Sequence, residues 1–195
     1  MSTYPSTLRR AAFPRIDLRT DALLVFAGTS LIALCAQISI PLGFTPVPIT
    51  GQTFAVLLVG SALGTVRGIG STLLYLLVGI AGAPVYADQS HGWDVVNGPT
   101  GGYIVGFIFA AALCGWLAER GHDQRFATAT SSMLAGNVVI YLFGLPWLAH
   151  SLGTGFEKTL ELGLYPFVPG AIVKIYLAAA ALPGAWRLVG RQLDE

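Results

Sequence analysis

Charge is what this sequence lacks. Only 11% of its 195 residues are Asp, Glu, Lys or Arg, where a soluble globular domain carries roughly 25%. A charged surface this thin argues against a freely soluble enzyme of this size. The net charge of +1 leaves no basic patch for nucleic acid. Cysteine is nearly absent. Cys35 and Cys114 each sit inside an apolar run, so neither a disulfide framework nor a metal site is expected. His91, His122 and His150 fall at predicted loops or helix ends, too dispersed to read as metal ligands. No GxxxxGKS/T, HExxH or GxSxG pattern occurs, which removes the usual ATPase, zinc protease and serine hydrolase. Acidic residues also avoid the apolar segments, where a proton- or sodium-coupled carrier commonly places a carboxylate.

What is present is apolar. Hydrophobic residues make up 54% of the chain, and the mean hydropathy is +0.67. Glycine (24) and proline (11) are plentiful, and both are more frequent in membrane helices than in soluble ones. The composition predicts an all-α polytopic membrane protein with one membrane domain over 1–195. A spanning helix needs about 20 apolar residues, and six segments are predicted: 22–40, 51–65, 68–82, 101–118, 127–148 and 166–189. The stretches 1–21 and 190–195 are expected to be cytoplasmic tails. The basic N-terminal stretch is long and no small-residue cleavage site follows it, so no secretory signal is expected.

The pair 51–65 and 68–82 also reads as one long helix broken at Arg67. Charge decides between the readings. With six spans, Arg9, Arg10, Arg15, Arg19, Arg67, Arg120, Arg125, Arg187 and Arg191 share one side, and Lys158 alone faces the other. The positive-inside rule makes the arginine side cytoplasmic, with both termini there. Loops 41–50 (PLGFTPVPIT), 83–100 and 149–165 then face outward. The first is uncharged and stiffened by three prolines, so it is expected to fold over a cavity as a lid.

Polar residues gather at the outward ends of several predicted helices. Lys174 lies within the sixth span, where an ammonium costs a few kcal/mol or more unless paired or hydrated. It either snorkels to the interface or anchors a ligand. Asn137 and Tyr141 share a face of the fifth span and serve either interhelical hydrogen bonding or ligand contact. Gln52 and Thr53 open the second span, and Thr100 and Tyr103 open the fourth. Their convergence suggests a solute cavity open to the outside. The spacings Gly60-x-x-x-Gly64-x-x-x-Gly68 and Gly102-x-x-x-Gly106-x-x-x-Ala110 read as close helix packing. Ser30, Ala33 and Ala36 form a small-residue strip that serves packing or docks another membrane subunit.

Three blocks carry a family resemblance: AQISIPLGFTPVPITGQTFAVLLVGSALG at 36–64, NGPTGGYIVGF at 97–107 and YPFVPGAIVK at 165–174. They resemble the BioY family, the biotin-specific substrate-binding (S) components of energy-coupling factor transporters. The resemblance implies a six-helix, non-enzymatic protein of the cell membrane with no cofactor. It implies biotin bound in an outward-side cavity beneath the loop between the first two helices. It implies work with a transmembrane coupling subunit and a pair of ABC-type ATPases; the alternative is a biotin carrier that needs no ATPase subunits. In related S components the coupling subunit docks on small residues of the first helix. Many members carry an acid three residues before the last-block lysine, where this chain has Ala171; Asp88 is the alternative acid. The candidate binding residues are therefore Gln52, Thr53, Asp88, Asn97, Thr100, Tyr103, Asn137, Tyr141 and Lys174. Amide and hydroxyl groups suit a ureido ring, aromatics a thiophane, and a lysine a carboxylate.

Overall fold

A computed structural model describes residues 7–12 and 17–193. Arg15, counted above among the inner arginines, lies outside the described residues, as do the side chains of Arg10 and Arg191. The described chain is mostly helical.

The N-terminal stretch expected to be a tail contains a helix, α1 (Leu8–Ala12), packed against the last helix of the chain. The first long helix, α2 (Leu18–Ala36), starts and ends four residues earlier than its apolar run suggests. Asp17 caps it, its carboxylate accepting from the Arg19 N–H at 3.3 Å. Beyond Ala36 the chain turns extended. Ser39–Ile40 forms β1, antiparallel to β2 (Ile49–Thr50), with Ser39 opposite Thr50 and Ile40 opposite Ile49. The proline after Ile40 disfavours helix at that residue, and the isoleucines suit a strand. The proline loop is therefore the tip of a small hairpin.

Helices α3 (Gln52–Leu63) and α4 (Thr65–Ile80) follow, and the break between them is Gly64 rather than Arg67. Gly64 has φ +83°, and the Thr65 N–H donates to Glu119 Oε1 at 2.9 Å. Arg67 thus falls in the first turn of α4. The outward segments expected as loops contain α5 (Trp93–Asn97) and, after α6 (Gly101–Ala118) and α7 (Phe126–Leu152), the short α8 (Phe156–Gly163). The chain ends in α9 (Val168–Leu193). By length and composition α2, α6, α7 and the stretch Phe156–Leu188 are apolar enough to cross a membrane, while α3 and α4 are shorter apolar helices. Leu23, Phe26 and Leu34 of α2 are each about two-thirds exposed, a surface that suits lipid and not water.

Helix α6 is the hub, packing on α7, α3 and α4. A Cβ at position 60 would lie 2.6 Å from the Ala111 carbonyl oxygen, so only glycine permits this α3–α6 crossing. One end of the bundle is tied by charge. Asp21 accepts from Arg9 at 2.5 Å and from Arg67 at 2.8 and 2.7 Å. In the α6–α7 connection, Asp123 is buried and accepts from Trp186 Nε1 at 2.7 Å. Burial pushes its carboxyl up to about 6. The other end carries the hairpin, the 83–92 segment, α5 and α8, and it is there that the helices part around a cavity.

Candidate functional site

The cavity has a volume of about 260 Å³. That is just below the usual range of ligand pockets, roughly 300–1,000 Å³, and leaves room for one small molecule. The hairpin tip closes one side, with Pro46, Val47 and Pro48 on the wall. The Thr45 hydroxyl pins this tip by donating to the Leu162 carbonyl of α8 at 2.8 Å. The first turn of α3 contributes Gln52 and Thr53, α6 and its N-cap contribute Thr100, Tyr103, Ile104 and Phe107, and α7 contributes Ile140 and Tyr141. Phe167 comes from the turn just before the last helix, Ala171 and Lys174 from its start, and Tyr86, Ala87, Asp88 and Ser90 from the 83–92 segment.

The polar wall has unused hydrogen-bonding capacity. Lys174 lines the cavity and its Nζ donates to the Thr50 carbonyl at 2.9 Å. An ammonium has three donors, so two remain. Gln52 is buried; its Nε2 donates to the Tyr75 hydroxyl at 2.5 Å and its Oε1 accepts from the Thr50 hydroxyl at 2.9 Å. One N–H and one lone pair are left over. Thr53 Oγ1 is buried with no partner among the described residues. A buried polar atom left unpaired costs about 1–3 kcal/mol, which a ligand group in the cavity would recover. Asp88 accepts from Ser39 Oγ at 3.2 Å. It and Lys174 are the charged members of the described wall.

The apolar wall is aromatic. Tyr103 and Tyr141 meet edge to face, their centroids 6.4 Å apart, and the Tyr103 hydroxyl donates to the Gly163 carbonyl at 3.0 Å. Tyr86 fills a socket at Gly79, where any β-carbon would overlap its ring. Its hydroxyl donates to the Leu76 carbonyl at 2.7 Å, and burial pushes that hydroxyl up to about 12, so it stays protonated. The whole arrangement suits a small amphipathic anion: an apolar ring against the aromatics, an amide-like group against Gln52 and Thr53, and a negative charge near Lys174.

Of the residues expected from sequence, Gln52, Thr53, Asp88, Thr100, Tyr103, Tyr141 and Lys174 line the cavity. Asn97 does not; it is exposed at the end of α5. Asn137 is buried one turn before Tyr141 and interacts with the Tyr141 side chain, behind the wall. Sequence reasoning passed over Tyr86, Phe107 and Phe167. An aromatic in an apolar chain carries no signal of its own, although Phe167 falls within the block 165–174.

Three comparisons bear on this geometry. The BioY family model matches residues 9–191. The chain is 42% identical over 170 residues to the probable biotin transporter BioY of Pyrococcus horikoshii, covering 87% of this chain and 96% of that one. It is 39% identical over 171 residues to the biotin transporter BioY of Rhizobium etli, covering 84% and 91%. In fold it is similar to the crystal structure of the S-component for biotin from an ECF-type ABC transporter. The TM-score is 0.78, with 24% identity over 89% of this chain and 95% of that one.

Proposed function

This chain belongs to the BioY family, and we propose that it binds biotin in the cavity and serves its uptake as the substrate-specific subunit of an ATP-driven vitamin transporter of the cytoplasmic membrane. The observation that carries the reading is the unused hydrogen-bonding capacity of Lys174, Gln52 and Thr53 in a cavity otherwise walled by aromatics. Biotin matches it group by group: a carboxylate for the ammonium, a ureido ring for the amide and hydroxyl, and a thiophane for Tyr86, Tyr103 and Tyr141.

In this reading α2, α3, α4, α6, α7 and α9 are the six spans, with both termini cytoplasmic. The Arg9–Asp21–Arg67 cluster marks the inner end, in keeping with the excess of arginine expected there. The short α3 and α4 are accommodated by local thinning or by burial of their ends in protein. The hairpin tip is the gate, and opening it breaks the bond between Thr45 and Leu162. The protein binds and delivers its ligand without making or breaking covalent bonds. A transmembrane coupling subunit and two ABC-type ATPases supply the work.

Two measurements test this. The purified chain in detergent is expected to be stabilised by biotin, by about 2.7 kcal/mol at 100-fold above the dissociation constant. A thermal response to another vitamin and none to biotin overturns the substrate. Uptake into vesicles is expected only when the coupling subunit and ATPases are present. Uptake by the chain alone makes it a self-sufficient carrier.

A further inference from the structure

Gln37 does not line the cavity, yet its side chain bonds the 83–92 segment at three places, Val85, Tyr86 and Gln89. It is the C-cap of α2. Its amide nitrogen lies 3.1 Å from the Tyr86 carbonyl, 3.4 Å from the Val85 carbonyl and 3.1 Å from the Ala33 carbonyl. Its amide oxygen accepts from the Gln89 N–H at 3.2 Å. The orientation is fixed by chemistry: carbonyls only accept and a backbone N–H only donates, so a flipped amide would face oxygen with oxygen.

The segment held this way needs holding. Asp88 and Gln89 have φ of +55° and +58°, left-handed values that residues with a β-carbon adopt rarely and keep only where the surroundings fix them. Tyr86, Ala87 and Asp88, which flank or lie within the bonds to Gln37, form cavity wall. Two residues beyond Gln37, Ser39 donates to Asp88 and pairs across the hairpin stem with Thr50. The Thr50 carbonyl in turn receives Lys174. The end of α2 thus joins the outer wall, the lid stem and the cavity's lysine.

We infer that Gln37 is a positioning residue of the binding site: without touching ligand, it holds the Tyr86–Asp88 wall in its ligand-binding conformation and couples that wall to the lid hairpin. The inference rests on the reading of the cavity as a biotin site. Gln37→Met keeps length and removes every side-chain bond; Gln37→Glu keeps the acceptor for Gln89 and loses the donors to Val85 and Tyr86.

The test uses the full chain in detergent, measuring biotin affinity, the melting temperature without ligand, and hydrogen exchange of the amides at 86–90. Gln37→Met is expected to weaken biotin binding about tenfold or more and to speed exchange at 86–90, with the unliganded melting temperature nearly unchanged. Gln37→Glu is expected to lose affinity while Gln89 keeps part of its protection. Unchanged affinity in Gln37→Met overturns the inference, whatever the exchange does. So does lost affinity that only tracks a fall in unliganded melting temperature, since that is a general loss of fold. If the unaltered chain does not bind biotin, the functional reading fails. Exchange then judges the wall by itself: unchanged rates at 86–90 overturn the clamp, and faster rates sustain it.

Discussion

Replacing Lys174 with methionine removes a charge from the cavity while keeping most of the side chain's length. In the unliganded protein the ammonium has one hydrogen bond, to the Thr50 carbonyl at 2.9 Å. No carboxylate forms a salt bridge with it among the described residues, and one turn earlier on the same helix stands Ala171. Two effects on folding therefore oppose each other. The Thr50 carbonyl loses a donor, at roughly 1 kcal/mol. A partly buried ammonium without a counter-ion is also gone, which is favourable by a similar or larger amount. The unliganded stability is expected to be nearly unchanged or slightly raised. Binding has no such cancellation. A ligand carboxylate would meet the two free donors of the ammonium, and hydrogen bonds to charged groups contribute about 1.5–3 kcal/mol, so affinity is expected to fall by roughly 10- to 150-fold. Calorimetry of biotin and its methyl ester on both proteins closes a double cycle. The ester is expected to bind the unaltered protein more weakly, and the methionine variant to discriminate less between the two. Unchanged affinity with a coupling energy near zero would refute the role of Lys174. Lost affinity without coupling would move the lysine to the ureido end of the ligand.

Thr53→Val removes a buried hydroxyl that has no partner among the described residues; the unliganded melting temperature is expected to hold or rise while biotin affinity falls about tenfold, and an undiminished affinity would take Thr53 off the wall's working surface. Gly79→Ala places a methyl where the Tyr86 ring sits; a loss of about 1–3 kcal/mol in stability is expected, with weaker binding, and combining it with Tyr86→Ala is expected to cost less than the sum of the single changes, so strict additivity would deny the socket. Burial raises Asp123 to about 6, so the folded state holds a proton that the unfolded state releases at about 3.9; its contribution is largest below about pH 4 and is lost as pH rises to about 6, by at most about 2–3 kcal/mol. Asp123→Asn is expected to flatten that part of the melting-temperature profile, and an unchanged slope between pH 4 and 6 would contradict the shift.

The helices were readable where their boundaries are marked by residues that cannot continue them. For α6 the expected and observed bounds coincide at 101 and 118, because a Gly-Pro-Thr precedes the apolar run and Glu-Arg-Gly follows it. Hydropathy misleads where an apolar run changes conformation without changing polarity. The two isoleucines of 37–40 carry the apolar run past the end of α2, yet Ser39–Ile40 is extended and pairs with Ile49–Thr50; so short a run reads alike as helix or strand. Helix α8 fails for the opposite reason. Its Glu157, Lys158 and Glu161 read as loop, although Phe156 and Leu160 keep helical spacing, and a short amphipathic helix lying at the bundle end needs no more than that. The break between α3 and α4 depends on one glycine and on Glu119, 54 residues from the Thr65 N–H it accepts, a partner that no local pattern reveals.

Polarity in an apolar chain signals a cost that something must offset, and this made Gln52, Thr53, Thr100, Tyr103, Tyr141 and Lys174 legible. It does not say what the offset is. Asn137 carried the same signal, but its partner is Tyr141 and it stands behind the wall; Asn97 answers to solvent. Telling these apart requires counting donors and acceptors against partners drawn from elsewhere in the chain. Gln52 meets Tyr75, 23 residues on, and Lys174 meets a carbonyl 124 residues back. After that count Gln52 has one donor and one acceptor to spare, Lys174 two donors, and Thr53 its whole hydroxyl. In the proposed reading, the capacity left unspent after folding, and not polarity itself, is what distinguishes a group awaiting a ligand from one that holds the bundle together. Tyr86 illustrates the limit from the apolar side: its one side-chain donor is spent on the Leu76 carbonyl, and its place on the wall follows from the socket at Gly79 and the clamp at Gln37.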